Sequence, residues 1–79
     1  MIGKIIKTMR HECNMSQEEL SKKVFLGRTT ISDYERVKTD INFENLEKIA
    51  NACGYDIIFQ NRKDKKKILT SKNIKRKEI

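Results

Sequence analysis

Two helix starts are written into residues 15–38, MSQEELSKKVFLGRTTISDYERVK, and the rest of the chain has to pack around them. Ser16 and Glu19 are spaced as a capping box, in which the serine hydroxyl accepts the Glu19 N–H and the Glu19 carboxylate accepts the Ser16 N–H. Met15 before the cap and Leu20 after it are spaced as a hydrophobic staple. Leu20 and Val24, four apart, continue an apolar stripe, while Glu18, Glu19, Lys22 and Lys23 fall outside it. Phe25-Leu26-Gly27 breaks the period and supplies a turn, and Gly27 is an acceptable N-cap for a second helix, though a side-chain cap would be better.

In that second helix Ile31 and Tyr34 face inward, which leaves Arg28, Thr29, Ser32, Asp33 and Arg36 on the opposite side. Helix stability does not explain the choice, because Thr and Ser are mediocre residues in mid-helix. Base recognition does. Arginine bonds guanine O6 and N7 in the major groove, Thr and Ser bond several base edges or touch the thymine methyl, and Asp accepts from cytosine N4. The alternative is a merely solvated outer face, which any amphipathic helix shows.

From Gly3-Lys4-Ile5-Ile6 and Arg10, through residues 16–21 (SQEELS), Thr30-Ile31-Ser32 and Tyr34-Glu35-Arg36, to Leu46, Ile49-Ala50 and Gly54, the chain resembles the Xre, or Cro/C1-type, helix-turn-helix family of phage repressors and bacterial regulators. The resemblance implies an all-α, four- to five-helix, lambda-repressor-like domain that binds a double-stranded DNA operator as a transcriptional regulator, most simply as a dimeric repressor on a palindrome. It implies that Arg28, Thr29, Ser32 and Asp33 face base edges. Thr30, Arg36 and Lys38 are assigned to phosphates with Gln17, which otherwise braces the start of the recognition helix. Arg10 and Glu35 match a pair that, in some members, bridges the first helix to the end of the recognition helix; the alternative is two ordinary surface charges. Phe25 stands where the family usually has glycine and Gly27 where it usually has a Ser or Thr cap, and both bear on the tilt of that helix.

The flanking segments complete a helical core. Ile2, Ile5, Ile6 and Met9 form the inner stripe of a first helix that Asn14 can end in a left-handed conformation. Residues 37–41 read as a loop. Asn42 is a plausible cap for a fourth helix whose Phe43, Leu46, Ile49, Ala50 and Cys53 recur at helical spacing, with Gly54 marking its end.

Residues 55–60, YDIIFQ, are β-branched and aromatic, follow a glycine and read as a strand. A lone strand needs a partner for its backbone groups, and the expected one is the same strand of a second subunit, paired across a two-fold axis through Tyr55, Ile57, Ile58 and Phe59. The alternative is that these residues extend the fourth helix or cover the monomer's own core. A strand after the fourth helix is similar to the HipB-type antitoxins, which implies a HipA-like toxin as a further partner; a phage or mobile-element repressor fits the same core.

Seventy-nine residues allow one domain with a small core that gains from a partner subunit. Charge divides the chain unevenly. Residues 1–60 carry nine basic and nine acidic side chains, whereas 61–79 carry nine basic against two acidic, so the whole net charge of +7 sits in the last quarter. The expected organisation is therefore a DNA-binding domain with its dimerisation strand over 1–60 and a lysine-rich, flexible tail over 61–79. Such a tail adds sequence-independent phosphate attraction or serves only as a solubilising segment.

Several function classes find no footing. No apolar run approaches a membrane span, and the first residues are not a secretory signal, so a cytoplasmic location is expected. Cys13 and Cys53 form no CxxC and have only His11 as a companion ligand, so no metal site or disulfide framework is expected, and Cys53 reads as a core residue. There is no phosphate-binding glycine loop or nucleophile motif, which argues against an enzyme, a cofactor or a small-molecule substrate. A helix-turn-helix reused as a protein-interaction module stays open, since fold does not fix function.

Overall fold

One fully buried aliphatic side chain from each of four helices meets at the centre of the molecule: Ile6, Leu20, Ile31 and Ile49. The structure, a computed structural model, describes residues 1–71. Its helices are α1 (Ile2–Glu12), α2 (Gln17–Val24), α3 (Arg28–Glu35) and α4 (Phe43–Ala52). Met9, Val24, Tyr34, Ala50 and Cys53 complete the buried cluster, with Met15, Leu26, Leu46 and Ile57 packed against it. Burying each large side chain contributes about 1.5–3 kcal/mol, so the short helices are held by this shared centre more than by their own propensity. Helix α3 packs against both α1 and α2, and α4 also packs against both.

The helix starts follow the sequence. Ser16 accepts the Glu19 N–H at 3.0 Å and Glu19 accepts the Ser16 N–H at 2.8 Å, so both arms of the capping box are made. Asn42 caps α4 through the Asn45 N–H at 2.7 Å. Gly27 caps α3 without a side-chain bond.

All four helices end in one way. Asn14, Phe25, Val37 and Gly54 each have positive φ. The residue after each donates to the carbonyl five residues back: Met15 to Arg10 at 3.1 Å, Leu26 to Ser21 at 3.0 Å, Lys38 to Asp33 at 2.8 Å and Tyr55 to Ala50 at 2.8 Å. This is the Schellman closure, which satisfies carbonyls the helix leaves open. Asn14 and Gly54 suit it, whereas Phe25 and Val37 adopt the left-handed region at the cost any residue with a Cβ meets there.

The C-terminal part departs from expectation. Only Phe59–Gln60 of the expected 55–60 strand is in extended ladder geometry, as β1, and its partner is β2 (Ile68–Leu69) of the same chain, antiparallel, with Phe59 opposite Leu69. Pairing across a two-fold axis is therefore replaced, on this edge, by an intrachain hairpin. The reason is local: Asn61 and Asp64 supply the side-chain acceptors of a tight turn, and a short loop closes at low entropic cost. The expected boundary after Gln60 falls inside this hairpin, so 61–71 are part of the fold, while residues 72–79 of the expected tail lie outside the described residues.

Candidate nucleic-acid interface

The site is organised by how α3 is held. Glu35, at its C-terminal end, is nearly buried, and the Arg10 guanidinium of α1 grips it with two bonds, Nε to Oε2 at 2.6 Å and Nη2 to Oε1 at 3.0 Å. The third arm of the guanidinium donates to the Met15 carbonyl at 2.9 Å, so one side chain ties α1, the α1–α2 turn and α3 together. Burial alone would raise the Glu35 carboxyl, but the hydrogen bonds from Arg10 and Gln17, with the Arg10 charge, outweigh it and hold the pKa below the usual carboxylate range. The same bond raises the Arg10 guanidinium further.

Gln17 completes the clamp by donating Nε2 to Glu35 Oε1 at 3.1 Å. Of the roles the resemblance implied, the structure thus shows a brace, but at the end of α3 rather than its start.

Two further contacts at that end were not legible beforehand. Gly3 lies against the α3 backbone so closely that a Cβ would sit 2.4 Å from the Glu35 carbonyl oxygen and 2.8 Å from that of Tyr34. The buried Tyr34 hydroxyl accepts a bond from Asn45 Nδ2 at 3.1 Å, joining α3 to α4. Gly3 was visible only as part of a matching segment, and nothing short of tertiary structure pairs Tyr34 with Asn45.

The opposite face of α3 is open. Arg28 and Thr29 are exposed, Ser32 and Asp33 half-exposed, and the helical repeat stacks Ser32 one turn above Arg28 and Asp33 one turn above Thr29. Thr30 is half-buried beside the N-terminal turn, and Arg36 and Lys38 are exposed just past the helix. Arg36 reaches Asp33 at 3.7 Å, an exposed i,i+3 pair of the kind that contributes about 0–1 kcal/mol and is readily exchanged for another partner. The arrangement is a row of hydrogen-bonding side chains on a helix clamped from behind.

The residues assigned to dimerisation divide. Ile57 packs on the monomer's core, as the alternative reading had it, whereas Tyr55, Ile58 and Phe59 remain exposed. Tyr55 donates its hydroxyl to Glu12, and the Phe59 ring stacks on Phe43 at 6.3 Å between centroids. With Ile2, Ile5, Leu46 and Ala50, Ile58 borders an apolar groove of about 610 Å³ between α1 and α4.

Cys53 is buried in the core as expected, but the fold brings Cys13 beside it; both are free thiols, and burial, then the neighbouring Cys13, pushes the Cys53 thiol up to about 12. Among the described residues no helix is long and apolar enough to cross a membrane.

A tight α2–turn–α3 unit, with α3 clamped from behind and polar in front, defines a helix-turn-helix protein. The chain belongs to the HTH_3 helix-turn-helix family, which it matches over residues 6–60. It is 40% identical over 55 residues to the control protein C.BamHI of Bacillus amyloliquefaciens, covering 68% of each chain. It is 32% identical over 56 residues to the immunity repressor protein of Bacillus phage phi105, covering 71% of this chain and 39% of the repressor. The fold superposes with a TM-score of 0.65 and 32% identity on SinR, a master regulator for biofilm formation solved in complex with DNA, covering 70% of this chain and 89% of that one. A control protein and a repressor lend no support to the antitoxin reading.

Proposed function

We propose that this chain is a sequence-specific double-stranded-DNA-binding transcriptional regulator, acting as a homodimeric repressor on a palindromic operator in the cytoplasm, with no enzymatic step and no cofactor. The observation that carries the reading is the polarity of α3: its C-terminal end is fixed by Glu35 and Tyr34, and its outer face offers Arg28, Thr29, Ser32 and Asp33. A recognition helix needs that combination, because base readout demands side chains positioned to a fraction of an ångström on a rigid support. Arg28 suits a guanine, Thr29 and Ser32 suit mixed base edges, and Asp33 suits a cytosine N4. Thr30, Arg36 and Lys38 suit flanking phosphates, with Arg36 leaving Asp33 to do so, while Gln17 serves by positioning α3. Membership of the family, and relatives that include a phage repressor and a DNA-bound regulator, support the same reading. Dimerisation is supported by the exposed Tyr55, Ile58 and Phe59 beside the apolar groove, more apolar surface than a small monomer gains from exposing.

A mobility-shift titration against the DNA flanking the protein's own coding region tests this. Wild type should prefer that DNA over random duplex. Arg28→Ala should lose about 1–3 kcal/mol on it and little on random duplex, where no base is read; equal loss on both would reassign Arg28 to a phosphate.

A further inference from the structure

The hairpin turn, residues 61–67, is the most strongly charged surface of the described chain. Arg62, Lys63, Lys65, Lys66 and Lys67 are all exposed, and none makes an ion pair with a described residue. The only carboxylate in the turn, Asp64, accepts the Lys66 N–H at 3.2 Å. Asn61 Oδ1 accepts the N–H groups of Lys63 at 2.9 Å and Asp64 at 2.8 Å. Backbone bonds from Asn61 N–H to the Lys67 carbonyl and from Lys67 N–H to the Asp64 carbonyl, both 2.9 Å, close the loop. These cations are therefore mounted on a shaped turn rather than strung along a free chain.

The fold also fixes where the turn points. The chain leaves the C-terminal end of α4 at Tyr55 and runs back along that helix until Phe59 stacks on Phe43, its first residue. The return strand heads the other way, and Ser71 bonds Glu47, one turn further into α4. The turn thus extends past the N-terminal end of α4, the end that α3 reaches through the segment bearing Arg36 and Lys38. The exposed Lys38 and Arg36, the latter in its exposed pair with Asp33, sit on the segment that enters α4 at that end, far in sequence from the cations of the turn.

We propose that the 61–67 turn is a second nucleic-acid contact, gripping the phosphodiester backbone of duplex that flanks the half-site read by α3. The inference rests on the DNA-binding reading above. Four of the five cations are lysine ammonium groups, compact charges without a fork or ring that suit phosphates and carry no base preference. An acidic protein is a poorer fit, since stable protein interfaces bury an apolar or aromatic centre and the turn has no apolar side chain.

The test uses the full chain on an operator duplex and on a random duplex, with affinity followed from 50 to 200 mM salt. The triple variant Lys65→Gln, Lys66→Gln, Lys67→Gln should lower the slope of log affinity against log salt by about 2.7 on both duplexes, at about 0.9 per phosphate, while the preference for operator over random DNA stays unchanged. Wild type would then lose about 40-fold more affinity than the variant across that fourfold salt range. Phe43→Ala, which keeps every lysine but removes the ring that seats the hairpin, should lose backbone protection outside the half-site in a hydroxyl-radical footprint. An unchanged slope in the triple variant overturns the proposal. Unchanged flanking protection in Phe43→Ala overturns the shaped turn in favour of charge alone. If operator preference itself is absent, the DNA-reading account of α3 fails, and the random-duplex slope still decides the turn.

Discussion

The Arg10 guanidinium and the Glu35 carboxylate, twenty-five residues apart, meet in a two-pronged bond of 2.6 and 3.0 Å with both side chains nearly buried. One consequence is energetic. Removing either partner strands the other charge away from water, which costs about 3–5 kcal/mol, whereas an apolar replacement of both can be close to neutral. Denaturant unfolding of Arg10→Met, Glu35→Leu and the double variant should show two severely destabilised single variants and a double variant much better than their sum. Two near-neutral single variants would contradict a buried pair.

The same pair sets an acid limit. A carboxylate whose folded pKa lies below its unfolded value, about 4.3 for glutamate, contributes stability that is fully present above that value. The contribution is lost as pH falls through the depressed folded pKa. Wild type should therefore weaken as the pH drops below about 5, and Glu35→Gln, less stable at neutrality, should show a flatter acid limb. Parallel limbs in urea titrations from pH 7 to pH 2.5 would place the acid sensitivity elsewhere.

Backbone geometry makes opposite predictions at two positions. Gly3→Ala drives a methyl into the carbonyls that end α3 and should destabilise by about 1–3 kcal/mol, because backbone on both sides must move. Phe25 is 91% exposed and left-handed, with φ 59°, so Phe25→Gly gives up little packing and removes strain. It should stabilise by about 1 kcal/mol, and thermal melts of the two variants should move in opposite directions.

The exposed Ile58 tests the subunit contact without touching the hairpin seat. Wild type should sediment as a dimer and Ile58→Asp as a monomer, and the variant should lose operator affinity because two linked half-site contacts become independent. A dimeric Ile58→Asp would move the contact to another face.

What could be read in advance follows a physical division. The four helices, the Ser16–Glu19 box, the Asn42 cap and the Asn14 and Gly54 ends were legible because caps and apolar stripes are local, with spacing fixed by the helical repeat. Phe25 and Val37 close their helices in the same left-handed way, yet neither residue advertises it, since tertiary packing imposes a conformation its propensity opposes. The Arg10–Glu35 bond was reached through family resemblance; Gln17 at the end of α3, Gly3 against α3 and Cys13 beside Cys53 were not, because nothing in linear spacing encodes contacts between helices. The strand expected over residues 55–60 is shorter, Phe59–Gln60, and its partner on that edge is Ile68–Leu69 of the same chain instead of a second subunit. Asn61 and Asp64 are the turn acceptors, but they stand among lysines whose charge density is equally that of a free tail.

The central claim, that the outer face of α3 reads base pairs, is met most directly by selecting duplexes from a random pool with the full chain and repeating the selection with Arg28→Ala. The account predicts a two-fold symmetric sequence whose half-sites are centred about 34 Å apart, one helical turn, or a multiple of it, and the loss of preference at one symmetric pair of positions in the variant. A pool that is not enriched for any sequence, or an enriched sequence left unchanged by Arg28→Ala, Thr29→Ala and Ser32→Ala alike, would contradict it.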